Sequence, residues 1–291
     1  MYSQIQANKT KSALILMGFF GFVALLSYLF SIWYRNPSIM IYALLGSLVY
    51  ALISYYSSSK MALALNGARE ITRRDNPQLW NVVENISMTD GLPMPRVYII
   101  DDPGLNAFAT GRNPENASVA ITSGLLETLT KAELQGVMAH ELGHVKNYDI
   151  RVSMVAFALA SVISLLCDFF LRISWFGGGD DDNNNTQLQI FGIVAAVIAP
   201  FVAMMIQMAL SRRREYLADA TGAATTRYPE GLIGALEKIQ AYGSQTQRQN
   251  SSTAHLFFAN PLKGNFFGTL FSTHPPIEDR IARLKEMGRS L

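Results

Sequence analysis

Long uncharged stretches alternate with polar segments along this chain. The first uncharged run covers Ala13–Trp33, and the second covers Ser38–Tyr56 after a connection of four residues. At about 1.5 Å per residue, a helix over either run is close to the thickness of a bilayer core, roughly 30 Å. The first run is too long for a signal peptide and has no clear cleavage site. The two runs therefore predict a hairpin of transmembrane helices.

Two weaker runs follow later in the chain. Val152–Leu171 carries one charge, Asp168, and Leu188–Leu210 carries none, although Pro200 can kink a helix there. A polar loop rich in glycine, aspartate and asparagine separates them. Such runs predict either two further transmembrane helices or a pair of buried helices in a soluble core.

The distribution of basic residues favours the membrane interpretation. Eleven basic residues flank one side of the four runs, whereas only Arg35 and Arg172 flank the other side. The positive-inside rule therefore places both chain termini and both long polar segments in the cytoplasm. The eleven residues are Lys9, Lys11, Lys60, Arg69, Arg73, Arg74, Lys146, Arg151, Arg212, Arg213 and Arg214. The predicted division is transmembrane helices over 13–33, 38–56, 152–171 and 188–210, with 61–151 and 211–291 as two parts of one cytosolic domain.

Composition excludes several classes of protein. Of the 291 residues, 49% are hydrophobic and 16% are charged, which excludes an intrinsically disordered chain. The 24 basic and 22 acidic residues give a net charge of +2, too even for a nucleic-acid-binding protein. With Cys167 as the single cysteine, an intramolecular disulfide and a cysteine-based zinc site are also excluded.

The first polar segment contains short strand patterns followed by a helix. Pro95–Asp101, Asn106–Thr110 and Ser118–Thr122 are rich in β-branched and apolar residues and predict strands. Thr130 and Glu133 then form a capping box, which predicts the start of a helix.

This helix carries the strongest chemical motif, His-Glu-Leu-Gly-His over His140–His144. Residues four apart lie on one helical face, so His140 and His144 can bind one metal ion, while Glu141 can reach a water beside it. The alternative is a polar helix face with two solvated histidines.

A catalytic zinc ion needs a third protein ligand. A metzincin would place a third histidine where this chain has Ile150, so that class is excluded. The third ligand is then a carboxylate or another histidine further along the chain. Glu215 can supply it, and Asp219, on the same helical face, can orient a ligand histidine. The alternative is an arginine-rich membrane flank with ordinary ion pairs.

Four motifs together resemble the HtpX family of bacterial membrane zinc metalloproteases, which is related to the CAAX prenyl endopeptidases. They are Asn106–Gly111, Met138–His144, Ser211–Asp219 and Ser272–Pro276. The resemblance implies four transmembrane helices and a mainly α, zincin-like α+β cytosolic protease domain. It implies one Zn²⁺ per chain on His140, His144 and Glu215, with Glu141 as the general base.

The resemblance also implies residues that contact the substrate. Asn106, Ala107, Phe108 and Ala109 are expected to form an edge strand that pairs with the substrate backbone. His274 is expected to act in catalysis near the transition state, and Arg280 to lie near it. On sequence alone, His274 is equally well a capping or core histidine, and His255 has no motif around it.

The expected function is a zinc-dependent endopeptidase of the bacterial cytoplasmic membrane that cleaves misfolded or damaged membrane proteins in quality control and the stress response. Its expected partners are unfolded or membrane-protein substrates and the lipid bilayer, without nucleic acid. Two alternatives are a CAAX-type prenyl-peptide protease, which would have more spans, and a non-catalytic zinc-binding scaffold, which would have no need of Glu141.

Overall fold

The structure is a computed structural model that describes residues 2–33, 35–159, 212–248, 253–261 and 275–288. The part of the third predicted span after residue 159 lies outside these residues. The fourth predicted span lies outside them entirely. His274 lies outside them as well.

The chain divides into two compact units. One combines Met1–Thr10, Ser58–Met154 and Leu210–Leu291, and the other combines Lys11–Ser57 and Val155–Ala209. The first unit therefore brings together the two polar segments that are separated in sequence, together with the first ten residues.

Two long helices begin the chain, α1 over Tyr2–Trp33 and α2 over Ser38–Leu65. Within the described residues, one stretch is long and apolar enough to cross a membrane, Met40–Leu65, with a mean hydropathy of 1.4. Large apolar side chains such as Met17 and Tyr42 are exposed along both helices. Of the four predicted spans, the described part of the chain thus supports one.

A small mixed sheet follows, built from β1 (Ala68–Glu70), β2 (Arg96–Ile100), β3 (Ala107–Thr110) and β4 (Ser118–Thr122). The spatial order is β1-β2-β4-β3. β2 and β4 are parallel, with Val97 opposite Val119, whereas β3 runs antiparallel to β4, with Phe108 opposite Ala120. All three predicted strands are confirmed, and β3 lies at an edge of the sheet.

The helices beside the sheet begin at capping residues. The side chain of Asn76 accepts a hydrogen bond from the backbone of Leu79 at the start of α3 (Pro77–Asp90). After α4 (Ser123–Thr128), the predicted capping box is present at the start of α5 (Lys131–Lys146), where Thr130 and Glu133 bond reciprocally. The capping box fixes where the helix with the histidine motif begins.

α5 lies at the centre of the first unit. The helix over residues 149–159 is α6, and α7 (Arg212–Thr226), α8 (Pro229–Tyr242) and α9 (Ile277–Gly288) follow. α5 packs against α3, β3, α7 and α8. A Cβ atom at Gly222 in α7 would lie only 3.0 Å from the backbone nitrogen of His140. This close approach brings the carboxylates of α7 to the histidines of α5.

Candidate active site

Two imidazole rings on one face of α5 form the centre of the site. His140 and His144 are one turn apart, and their Nε2 atoms lie 3.1 Å from each other. His140 is fully buried, and the side chain of His144 is 15% exposed. The predicted helical geometry therefore directs one nitrogen from each ring to a common point.

Glu215 of α7 faces the same point. Its carboxylate oxygens lie 3.8 Å from His140 Nε2 and 3.6 Å from His144 Nε2. A tetrahedral zinc ion with bonds of about 2.0–2.1 Å places its ligand atoms about 3.3 Å apart. Because the three donor atoms all lie within 4.8 Å of one another, small adjustments bring them to that spacing. The donor set therefore fits one zinc ion.

The opposite side of each ring contacts a buried carboxylate. His140 Nδ1 lies 2.8 Å from Asp219 Oδ1, and His144 Nδ1 lies 3.0 Å from Asp149 Oδ2. Since a carboxylate accepts, both Nδ1 atoms carry a proton, and the Nε2 atom of each ring is directed to the shared centre. The expected contact of Asp219 with a histidine is thus present.

Asp149 was not recognised from the sequence. It follows the end of α5 through a turn in which Tyr148 has a left-handed backbone, with φ of 60°. This turn directs Asp149 back to His144, five residues earlier. A helical continuation would have placed Asp149 elsewhere, so spacing alone could not identify it.

Arg280 lies beside His140, with its Nη2 atom 3.4 Å from His140 Nδ1. Its Nε and Nη2 atoms bind the two oxygens of Asp219 at 2.8 and 2.7 Å. A third nitrogen, Nη1, donates to the Phe258 carbonyl at 3.3 Å, and the residue is 1% exposed. This bidentate pair fixes Asp219. Arg280 is thus buried against Asp219, and its expected place near the substrate stays a prediction.

Glu141 is 1% exposed and lines the cavity beside the histidines. Burial raises the pKa of Glu141 to about 7, aided by the charge of Glu215 and opposed by His144 and by a hydrogen bond from the Ala109 backbone. A carboxylate with a pKa near 7 can accept and return a proton at neutral pH. The role of Glu141 as the general base stays a prediction.

The two histidines have opposite tendencies to protonate. Burial lowers the pKa of His140 to about 4, despite the opposing charge of Asp219. Burial also disfavours the charged form of His144, but Glu215 and Asp149 outweigh it and raise its pKa to about 9. Although burial opposes it, Arg280 lowers the pKa of Asp219 to about 2. His140 is thus neutral at pH 7, whereas a metal ion must displace a proton from His144.

A segment from late in the chain forms part of the wall of the cavity at the site. The cavity leaves about 30 Å³ for the centres of water molecules, enough for about two waters. Beyond the charged residues, its walls include Ala109 of β3 and His255–Phe258. The sequence offered no signal for His255, whose role at the wall depends on tertiary packing.

The edge strand is partly covered on its outer side. Phe108 forms an antiparallel bridge with Phe257, and the Ala107 carbonyl accepts from Phe258 N at 2.7 Å. Asn106 is fully buried, and its side chain bonds to the backbone of Ser244 and Ala259. Asn106 and Ala107 therefore hold this segment in place. Ala109, by contrast, reaches the cavity.

Comparison with known proteins gives a consistent result. Residues 73–288 match the family described as peptidase family M48. The chain is 51% identical over 291 residues to a protein named "Protease HtpX homolog" from Tropheryma whipplei (strain Twist), covering 99% of both chains. It is 47% identical over 302 residues to a protein of the same name from Lactobacillus acidophilus, covering 99% of this chain and 100% of that one.

A solved structure shares the fold. The crystal structure of S. mikatae Ste24p superposes with a TM-score of 0.52 at 21% identity, covering 96% of this chain and 66% of that one. The match extends over nearly all of this chain but about two thirds of the larger protein. From the family match and the full-length relatives, this chain belongs to peptidase family M48 and to the HtpX group of metalloproteases within it.

Proposed function

We propose that this protein is a zinc-dependent endopeptidase of the bacterial cytoplasmic membrane that cleaves misfolded or damaged membrane proteins. The observation that carries the proposal is the convergence of two Nε2 atoms and the Glu215 carboxylate beside the buried Glu141. His140, His144 and Glu215 would hold one zinc ion. A zinc ion in such a site lowers the pKa of a bound water to about 7 and polarises a carbonyl oxygen.

The residues of this chain supply the proton transfer. Glu141 accepts a proton from the attacking water on a carboxylate oxygen and passes it to the nitrogen of the leaving amine. Burial raises the pKa of Glu141 in the metal-free chain to about 7, which favours proton uptake near neutral pH. The presence of this buried carboxylate also favours a peptidase over a zinc-binding scaffold.

Substrate backbone is proposed to contact the edge strand at Ala109. Ala109 lines the cavity beside Glu141. A peptide that pairs along a strand edge is bound mainly through its backbone rather than through particular side chains. This mode of binding therefore suits unfolded substrates of varied sequence. His274 is retained as a proposed catalytic residue near the transition state.

Four transmembrane helices with a cytoplasmic active site complete the proposal. The eleven-to-two distribution of basic flanks supports this topology, as does the apolar helix Met40–Leu65. The relatives' name, "Protease HtpX homolog", supports protease activity. The role in quality control and the stress response is proposed from the family resemblance.

The experiment that tests the proposal measures metal content and cleavage together. The detergent-purified chain should contain about one zinc per chain and cleave casein as an unfolded substrate. A chelator should abolish cleavage, and added zinc should restore it. Cleavage that continues after complete removal of the metal would contradict the proposal.

A further inference from the structure

A buried asparagine near the N-terminus contacts the support of a metal ligand. Asn8 lies in α1, just before the first apolar run, and is 2% exposed. Its side-chain Nδ2 donates to the Asn147 carbonyl at 2.8 Å and to Asp149 Oδ1 at 2.8 Å. These bonds cross more than 130 residues of sequence and lie within one compact unit.

Asp149 links this asparagine to His144. One carboxylate oxygen of Asp149 accepts from Asn8, and the other lies 3.0 Å from His144 Nδ1. Arg214 Nη1 lies 3.9 Å from the oxygen that Asn8 contacts. The side chain of Asp149 is 4% exposed, so little solvent competes for these contacts. The orientation of the carboxylate therefore depends on Asn8 as well as on His144.

The turn that carries Asp149 is also held from the N-terminal segment. Tyr148 has a left-handed backbone, which a non-glycine residue adopts only where its surroundings stabilise it. Lys9 lies over the Tyr148 ring at 5.1 Å, and Asn8 bonds to the carbonyl of Asn147. Two consecutive residues of α1 thus contact three consecutive residues of the turn.

We propose that Asn8 is a positioning residue for the metal centre, acting through Asp149 on the ring of His144. The inference rests on the proposed function, because it takes His144 as a zinc ligand. The N-terminal segment is then part of the metal site, although it precedes the histidine motif by more than 130 residues. Loss of a partner that orients a ligand histidine typically weakens metal binding about 10–100-fold.

The test compares zinc affinity in the full-length, detergent-purified chain. Asn8→Ala should raise the zinc dissociation constant about tenfold, measured by competition with a chelator. Its cobalt-substituted form should show a shifted visible absorption spectrum, because the ligand geometry changes. The matched control is Asn66→Ala. Asn66 is also 2% exposed and donates two side-chain hydrogen bonds, to the Ala62 carbonyl and the Thr253 hydroxyl rather than to Asp149. The control should keep the wild-type affinity and spectrum.

A double-mutant cycle separates positioning from general destabilisation. If Asn8 acts through Asp149, Asn8→Ala should weaken zinc binding much less in an Asp149→Ala background than in the wild type. Full additivity of the two effects would overturn the inference, and so would wild-type affinity and spectrum in Asn8→Ala. If the wild-type chain binds no zinc, the proposed function fails and this inference fails with it. If the wild type binds zinc and cleaves casein while Asn8→Ala matches it, only this inference fails.

Discussion

Ala109 of β3 and Glu141 of α5 line the same cavity beside the histidines. The edge strand of the sheet therefore lies next to the proposed general base. The proposed substrate strand and the proton acceptor are therefore adjacent before any substrate is bound. A peptide that extends this edge would bring a scissile bond next to Glu141.

Cleavage should depend on pH through Glu141. In the metal-free chain, burial raises the pKa of this carboxyl to about 7, and only the ionised form can accept a proton. The charge of a bound zinc ion lowers this pKa, so we expect kcat/KM for casein peptides to be level near pH 8 and to fall about tenfold for each pH unit below the pKa that Glu141 has in the zinc-loaded enzyme. A rate that stays constant from pH 8 to pH 5.5, with zinc still bound, would contradict this assignment.

Zinc binding should also weaken on acidification, because of His144. Its pKa of about 9 in the metal-free chain means that it carries a proton at pH 7, which zinc must displace. Between pH 6 and pH 8, we expect the zinc association constant to rise about tenfold per pH unit. Chelator competition at several pH values measures this slope. A slope of zero would show that no proton is released on binding.

Arg280 should be needed for stability more than for substrate affinity. Its removal leaves Asp219 as a buried charge without its bidentate partner. Arg280→Ala should therefore destabilise the folded protein by about 3–5 kcal/mol, the usual cost of breaking a buried ion pair. The thermal unfolding temperature in detergent reports this loss. Unchanged stability with a raised KM would instead indicate that Arg280 contacts the substrate, as the family resemblance implied.

Topology reporters test the membrane arrangement. Fusions after Tyr56 and at Leu291 should report the cytoplasm, because most basic flanks lie on that side, and an insertion at Asp181 should report the outside. A cytoplasmic signal at Asp181 would show that the two later apolar runs do not span the bilayer.

Local patterns in the sequence predicted much of the site. A capping box and a spacing of four residues need only helix geometry, so the start of α5 and the shared face of His140 and His144 were predictable. The same spacing of four residues in α7 identified Glu215 and Asp219 as candidate site residues. The strand patterns likewise matched β2, β3 and β4 closely.

Contacts that depend on tertiary structure could not be predicted. Asp149 reaches His144 through a left-handed turn at Tyr148, which no sequence motif marks. Asn8 lies 141 residues from Asp149 in sequence, and only packing brings them together. Arg280 was placed near the transition state because of the resemblance. Its burial against Asp219 became visible only when α7 and α9 were seen together.

The two glutamates beside the histidines are proposed to have different roles, which zinc content and cleavage can separate. Glu215 faces both Nε2 atoms, whereas Glu141 lines the cavity next to Ala109. Glu215→Ala leaves two protein ligands, too few for a stable catalytic site, whereas Glu141→Gln keeps all three. Glu237→Gln is the control. Glu237 is exposed, and its Oε1 atom lies 3.6 Å from Lys285 Nζ.

The most direct measurement is therefore zinc per chain and casein cleavage for these three variants in parallel. Glu141→Gln should retain about one zinc per chain while cleavage falls roughly 100-fold or more, the scale of losing a general base. Glu215→Ala should purify with little zinc and no cleavage, and Glu237→Gln should match the wild type. If Glu141→Gln loses its zinc while Glu215→Ala keeps it, the assigned roles are contradicted.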